Sequence, residues 1–283
     1  MSITEGPRIA VPSSGRLREG TLRLLDRAGY AVGGLHGSAA AEIEGATFIE
    51  MRARDAAHAL AVGRLDATFC STDIAWEAGI RDRTVVPLGF SRSDLVIASR
   101  IADGPSKVEE LDGLVVATHL PNVTREFLEG RGVKASHVLP MNGSLEGVCA
   151  AGLVDAIVDL RDTGTALARN SLRALEVIER CQACLVIDTQ STASDQLRLR
   201  IGAVMEADEH VYVMLHLPPD QVHALSTIVH GLEAPTVVPL AERNDVVAVH
   251  FILTTTTLWS KLGELRTLGA TGIVAVPPAA ILR

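Results

Sequence analysis

One short sequence device occurs twice in this chain, about ninety residues apart. Gly63-Arg64-Leu65-Asp66-Ala67-Thr68-Phe69-Cys70 and Gly152-Leu153-Val154-Asp155-Ala156-Ile157-Val158-Asp159 share one order: a glycine, a free position, an aliphatic residue, Asp, Ala and an apolar run. A glycine closing an apolar-periodic stretch ends a helix, because it takes the left-handed conformation without a Cβ clash, and the apolar run after it reads as a buried strand. Recurrence of the unit implies two similar α/β lobes. The first strand runs into Ser71-Thr72-Asp73 and the second into Asp162-Thr163-Gly164-Thr165. In open α/β sheets, ligands sit beyond the carboxyl ends of strands, where amides and hydroxyls can cradle phosphate without adding charge. A shared interlobe cleft for an oxygen-rich anion is therefore expected. The competing reading is that small polar residues merely terminate strands.

At 283 residues the chain exceeds what one hydrophobic core usually serves, and a 47% apolar fraction supports folded cores throughout. Only nine residues are aromatic, while Ala, Val, Leu and Gly dominate, which favours parallel strands closely covered by helices over an all-β sandwich. A net charge of −8 argues against nucleic acid or an anionic membrane surface as a partner. No apolar run is long enough to span a bilayer, and the Met1–Gly6 stretch lacks the pattern of a secretory leader, so a cytoplasmic location is expected.

Four cysteines make no disulfide framework. Cys181-Gln182-Ala183-Cys184 lies against a strand-like run, where positions i and i+3 face opposite ways, so packing is expected rather than zinc binding. His216, His223 and His230 recur every seventh residue across a strand and a helix, which is no ligand spacing.

Along the chain, Arg8–Pro12 reads as a strand, followed by the turn Ser13–Arg16 and a helix whose apolar face carries Leu17, Leu22, Leu24, Leu25 and Ala28. Arg16 would add positive charge at that helix entrance. Thr47–Met51 is a strand, and Asp55 is expected to cap a helix to about Val62. Thr84–Phe90 and Asp94–Ala98 are strand-like, with a lobe crossover at Phe90–Ser93. Gly113–Thr118 is a strand, Thr124 is expected to cap the helix of Phe127 and Leu128, and Asn142-Gly143-Ser144 precedes a helix through Ala150. Ala174–Ile178 and Cys184–Ile187 return to a sheet, and Asp195–Met205 is helical. The tail reads as strand 210–217, helix 220–230, strands 236–238 and 245–253, helix 257–268 and strand 272–276, the βαββαβ order of a ferredoxin-like domain.

The whole chain resembles the long form of the ATP phosphoribosyltransferase family of histidine biosynthesis. The resemblance rests on Arg8-Ile9-Ala10-Val11-Pro12 with Gly15-Arg16-Leu17, Arg52 to Asp55, Gly63 with Asp66 and Asp73, Leu88-Gly89-Phe90, Ala117-Thr118 with Pro121-Asn122, and Asn142-Gly143-Ser144 with Glu146. Asp155 to Leu160 followed by Thr163-Gly164 matches best, and Pro235-Thr236-Val237, Pro239-Leu240-Ala241 and Leu268 to Ile273 extend it to the tail. The resemblance implies two type II periplasmic-binding-protein-like α/β lobes about a central cleft plus a C-terminal ferredoxin-like domain: 1–91 with 170–205 as the first lobe, 92–169 as the second with the phosphate loop, and 206–283 as the regulatory domain.

It further implies transfer of phosphoribosyl from phosphoribosyl pyrophosphate to N1 of ATP with release of pyrophosphate, Mg²⁺ as cofactor, feedback inhibition by histidine, and a homo-oligomer from dimer to hexamer. Phosphoribosyl pyrophosphate would meet Asp159, Thr163, Gly164 and Thr165. ATP would meet Arg16, Asp73, Asn142, Gly143 and Ser144, and the effector Asp220, Thr236 and Ala270. No protein nucleophile is needed, so no catalytic residue is named. The alternatives are a divergent paralogue with another acceptor, or a binding protein that retains the cleft.

The chain departs from the family pattern at Ser14 for Lys, Ser71 for Gly, Asp94 for a basic residue, Arg161-Asp162 for an apolar residue and Ser, and Ala166 for Thr. A carboxylate about 4 Å from a phosphate costs about 4 kcal/mol at an effective dielectric of about 20. That cost applies to Asp162 unless Mg²⁺ or Arg161 offsets it.

Overall fold

The structure is a computed structural model that describes residues 6–35, 39–135, 137–188, 194–229, 231–232 and 234–282. It divides into two compact units, Met1–Arg23 with Tyr30–Ser194, and Leu24–Gly29 with Asp195–Arg283.

The first unit runs through β1 (Arg8–Pro12), α1 (Gly15–Arg27, whose last residues count with the second unit), β2 (Ala40–Ile43), β3 (Ala46–Met51), α2 (Ala53–Ala61), β4 (Ala67–Ser71), α3 (Thr72–Glu77) and β5 (Thr84–Pro87). It continues with β6 (Ser93–Arg100), β7 (Val115–Thr118), α4 (Pro121–Gly130), β8 (His137–Pro140), α5 (Leu145–Ala150), β9 (Ala156–Arg161), α6 (Thr165–Arg169), β10 (Leu172–Cys181) and β11 (Ala183–Ile187). One sheet has the order β2-β3-β1-β4-β11-β5 and the other β10-β6-β9-β7-β8.

The two sheets follow one plan. β3-β1-β4 and β8-β7-β9 are parallel triplets with the first strand in the middle. A strand arriving from the other sheet's run of chain, β11 or β6, then pairs antiparallel, and β5 or β10 completes the set. This is the 2-1-3-n-4 order of the expected type II bilobal fold. Both faces of the second sheet are covered, Leu95, Ile97 and Val158 by one cluster and Val96, Ala98 and Ile157 by another. That is why its strands read as continuous apolar runs rather than alternating ones.

The repeated device closes both lobes with the same bonds. Gly63 and Gly152 have φ of +70° and +73°. The Gly63 amide donates to Leu60 O and the Arg64 amide to Ala59 O, just as Gly152 donates to Cys149 O and Leu153 to Val148 O, the two bonds of a Schellman cap. The aspartates then make the same pair of backbone bonds. The Asp66 amide donates to Arg8 O at 2.9 Å while its carboxylate accepts the Arg8 amide at 2.8 Å. For Asp155 and Val115 the distances are 3.0 and 2.9 Å. Each Asp thus ties the start of its strand to the start of β1 or β7.

Several local expectations shift. β10 pairs with β6, so the chain stays in the second sheet past residue 170 and crosses back only at Gln182. There the Ala183 amide donates to Phe90 O at 2.9 Å, binding the two crossover segments together. Thr124 does not cap α4. The helix starts at Pro121, whose fixed φ and missing N–H suit a first helical position, and Thr124 Oγ1 donates to Leu120 O from inside the helix. Asp55 lies in the first turn of α2, where its charge still favours the helix, but Arg52 holds the cap position.

The second unit contains α7 (Asp195–Glu209), β12 (His210–Leu217), α8 (Val222–Ile228), β13 (Thr236–Leu240), β14 (Arg243–Thr254), α9 (Thr255–Thr267) and β15 (Thr271–Val276). Its sheet, ordered β13-β14-β12-β15, is antiparallel throughout, the ferredoxin-like arrangement. Alternation in β12 and β14 sends Val213, Leu215, Leu217, Val249, Phe251 and Leu253 into one core with Leu225, Leu258 and Leu265 of the two helices. His216 and His223 lie in β12 and α8, while His230 lies outside the described residues.

Candidate active site

The carboxyl ends of β1, β4 and β9 open into a cavity of about 620 Å³. The first lobe supplies Ser14 to Leu17 and Ser71, the crossover supplies Ser91 and Ser93, and the second lobe supplies Glu146 and the run Asp159 to Leu167 with Arg169. Five of the residues picked out from the sequence, Arg16, Asp159, Thr163, Gly164 and Thr165, are brought together here. Gly164 has φ of +77°, which an L side chain resists, and turns the loop into α6. Thr163 and Thr165 share a hydroxyl–hydroxyl bond of 2.8 Å, and the Thr165 amide leans toward Thr163 Oγ1 at 3.4 Å. Asp159 is half-buried. Burial pushes its carboxyl above the usual range, the bond accepted from the Leu160 amide opposes this, and the negative Glu146 adds to the rise.

The three charged departures from the family pattern, Asp94, Arg161 and Asp162, are each paired with an opposite charge. Arg16 Nη2 donates to Asp162 Oδ2 across the cleft mouth, and Arg161 Nη2 donates to Asp94 Oδ2 at 2.6 Å. Arg16, rather than Arg161, is therefore the cation that meets Asp162. Arg161 answers the acid directly opposite it in the β6–β9 register.

Other sequence-picked residues lie elsewhere. Asp73 is 2% exposed in the first turn of α3, its Oδ1 has no hydrogen-bond partner among the described residues, and burial raises its pKa. Asn142 lines a separate cavity of about 230 Å³ with Arg54, His58, Glu77 and His119, while Gly143 and Ser144 are exposed just before α5. Thus the Asn142 turn faces a neighbouring chamber, and only Glu146 of that segment reaches the larger one. In the second unit the three residues separate. Thr236 lines a cavity of about 450 Å³ with Tyr212, His250 and Ile252, Asp220 is exposed in a short 3-10 turn, and Ala270 is packed in the core.

Sequence reading missed Tyr212 and His250, whose Tyr hydroxyl and Nδ1 lie 2.7 Å apart. The signal was available: both occupy the strand positions that alternate away from the core of β12 and β14. It also missed Arg54, His58 and His119, which local spacing does not connect. Cys181 ends β10 and Cys184 sits in β11, in different sheets, with Cys184 Sγ 3.8 Å from Cys70 Sγ. All four cysteines are free and buried. Among the described residues, no group of three or more His, Cys, Asp or Glu side chains is placed to hold a metal ion, and no helix is long and apolar enough to cross a membrane.

The family model described as ATP phosphoribosyltransferase matches residues 52–207, and that described as HisG, C-terminal domain, matches residues 207–278. The chain belongs to the ATP phosphoribosyltransferase family. It is 33% identical over 282 residues to the ATP phosphoribosyltransferase of Gemmatimonas aurantiaca, covering 94% of this chain and 96% of that one. Among solved structures, it is similar to the ATP phosphoribosyl transferase (HisG:HisZ) complex from Thermotoga maritima, with a TM-score of 0.58 and 26% identity over 71% of this chain and 98% of that chain. Two lobes followed by the C-terminal domain make this a long-form ATP phosphoribosyltransferase, a pentosyltransferase of histidine biosynthesis.

Proposed function

We propose that the 620 Å³ cavity binds phosphoribosyl pyrophosphate with its 5-phosphate on Thr163, Gly164 and Thr165, and that N1 of ATP is delivered to C1 of the ribose from the side of Asp73 and Asn142. The observation that carries this reading is the convergence of Arg16 with Asp159 and Thr163 to Thr165 on one cavity from loops 146 residues apart. Loop hydroxyls and amides position the phosphate, and Asp159 suits the ribose hydroxyls. Displacement at C1 breaks the bond to pyrophosphate as the bond to N1 forms, through an oxocarbenium-like state. Alignment and charge stabilisation supply the rate, and no protein nucleophile is required.

Asp159 and Glu146 line the same cavity, and the Glu146 charge adds to the rise in the Asp159 pKa, an arrangement that fits Mg²⁺ bound mainly by a diphosphate and completed by one or two carboxylates. When bound, the ion would neutralise charge on the departing pyrophosphate. Histidine is the effector in this reading, taken by the 450 Å³ cavity beside Thr236, in a cytoplasmic homo-oligomer.

The test is direct. The full chain with Mg²⁺, ATP and phosphoribosyl pyrophosphate is expected to yield pyrophosphate and phosphoribosyl-ATP, identified by mass. Calorimetric binding of both ligands with neither product formed would replace this reading with that of a binding protein. Histidine is expected to inhibit, and Thr236→Ala to weaken the inhibition. An unchanged inhibition curve would move the effector to another site.

A further inference from the structure

The loop assigned to phosphate carries an acid of its own, and that acid is occupied. Asp162 follows β9 directly and lies next to Thr163, and its side chain is 44% exposed. Its partner Arg16 comes from the β1–α1 corner of the other lobe, so the pair spans the mouth of the cavity that both residues line. Arg161, one residue back, is held by Asp94 at 2.6 Å. Of the three guanidinium groups around the cavity, two are thus matched by carboxylates. Only Arg169 has no carboxylate partner among the described residues.

An arriving phosphate meets this arrangement twice. It competes with a carboxylate for Arg16, and it is then repelled by the carboxylate it has displaced. The Arg16–Asp162 pair is exposed and contributes little to stability, so a dianion can separate it while a singly charged ligand gains less from doing so.

We infer that Asp162 is a specificity-determining residue of the phosphate loop: it holds Arg16 across the cleft mouth and yields it only to a ligand carrying a dianionic phosphate. The inference rests on the phosphate assignment of the proposed function. Asp162 acts through Arg16 and by its own charge, and it sets how tightly the phosphate end is held and how sharply dianions are preferred over monoanions.

Calorimetry on the full chain with ribose 5-phosphate, without ATP or turnover, tests it. Asp162→Asn and Asp162→Ser are each expected to bind ribose 5-phosphate about tenfold more tightly than the unaltered chain. Asp162→Glu, which keeps the charge, is expected to stay within about twofold. Methyl phosphate and methyl sulfate, a dianion and a monoanion of similar shape, should differ less in affinity for Asp162→Asn than for the unaltered chain. Unchanged or weaker ribose 5-phosphate binding in the Asn and Ser variants would overturn the inference, as would no binding in any of the four proteins. A chain that shows the affinity pattern but forms no phosphoribosyl-ATP would overturn the reaction and leave Asp162's role standing.

Discussion

Glu77, the last residue of α3, accepts the amide hydrogens of Asn122 at 2.9 Å and Val123 at 3.0 Å, the opening turn of α4 in the other lobe. Asn122 Nδ2 returns a bond to Glu77 O at 3.0 Å. A carboxylate from one lobe therefore caps a helix of the other, satisfying amides that the helix itself leaves unpaired and placing negative charge at its positive end. Glu77→Ala is expected to cost about 2–3 kcal/mol, and Glu77→Gln about 1 kcal/mol. Urea denaturation of the full chain measures both, and a loss below about 0.5 kcal/mol for the Ala variant would contradict the capping role.

The equivalence of Asp66 and Asp155 gives a paired expectation. Each accepts one strand-opening amide, at 2.8 and 2.9 Å, so replacing either by Ala removes the same bond. A loss of about 1–2 kcal/mol is expected at each position, and a loss below about 0.5 kcal/mol in urea unfolding at either would contradict the tie between its two strands.

Gly164→Ala probes the phosphate loop. An added Cβ would meet nothing closer than Arg161 Cδ at 3.7 Å, so the cost is conformational, about 1–2 kcal/mol for a non-glycine residue at positive φ. The variant is expected to fold, with a melting point lower by a few degrees, and to bind ribose 5-phosphate at least about tenfold more weakly. Normal affinity would remove the loop from the phosphate site.

Asp73 sets a pH dependence. Burial raises its carboxyl pKa, only partly offset by hydrogen bonds from Ser71 and from the Asp73 and Ile74 amides and by the charge of Arg54. A folded-state value above the unfolded one means that the favourable contribution of the protonated acid is present below the ordinary carboxylate range and is lost as pH rises through the raised value. Asp73→Asn, which stays neutral, is expected to be more stable than the unaltered chain near neutral pH by about 1–3 kcal/mol, with the gap closing toward the ordinary carboxylate range. Urea midpoints across that range check the sign. A gap that widens on acidification would mean that the ionised form is the stabilised one.

What was legible in the sequence was locally enforced. Gly63 and Gly152 announce themselves because a Schellman cap needs positive φ, and the aspartates because a short acid can reach a neighbouring strand's first amide. Thr163-Gly164-Thr165 could be placed on a loop for the same reason. The rest depended on distant pairing. Nothing within Leu172–Cys181 says that it joins β6 rather than the first sheet. The match of Asp162 with Arg16 spans 146 residues. Asn142 and Glu146, four residues apart, open into different cavities because the short helix α5 begins between them. Thr124 misled because hydroxyl residues cap helices often, but Pro121 had already fixed the start.

The exchanged strands impose an order in time. β6, β7, β8, β9 and β10 all lie between Ser93 and Cys181, so the second sheet can be completed as soon as that stretch has left the ribosome. The first sheet cannot. Among the described residues β5 pairs only with β11, and β4 waits for the same strand on its open edge, so the earliest-made half of the protein stays unfinished until Ile187 is available. During synthesis the amino-terminal lobe is therefore the one that depends longest on protection from aggregation, although it is made first.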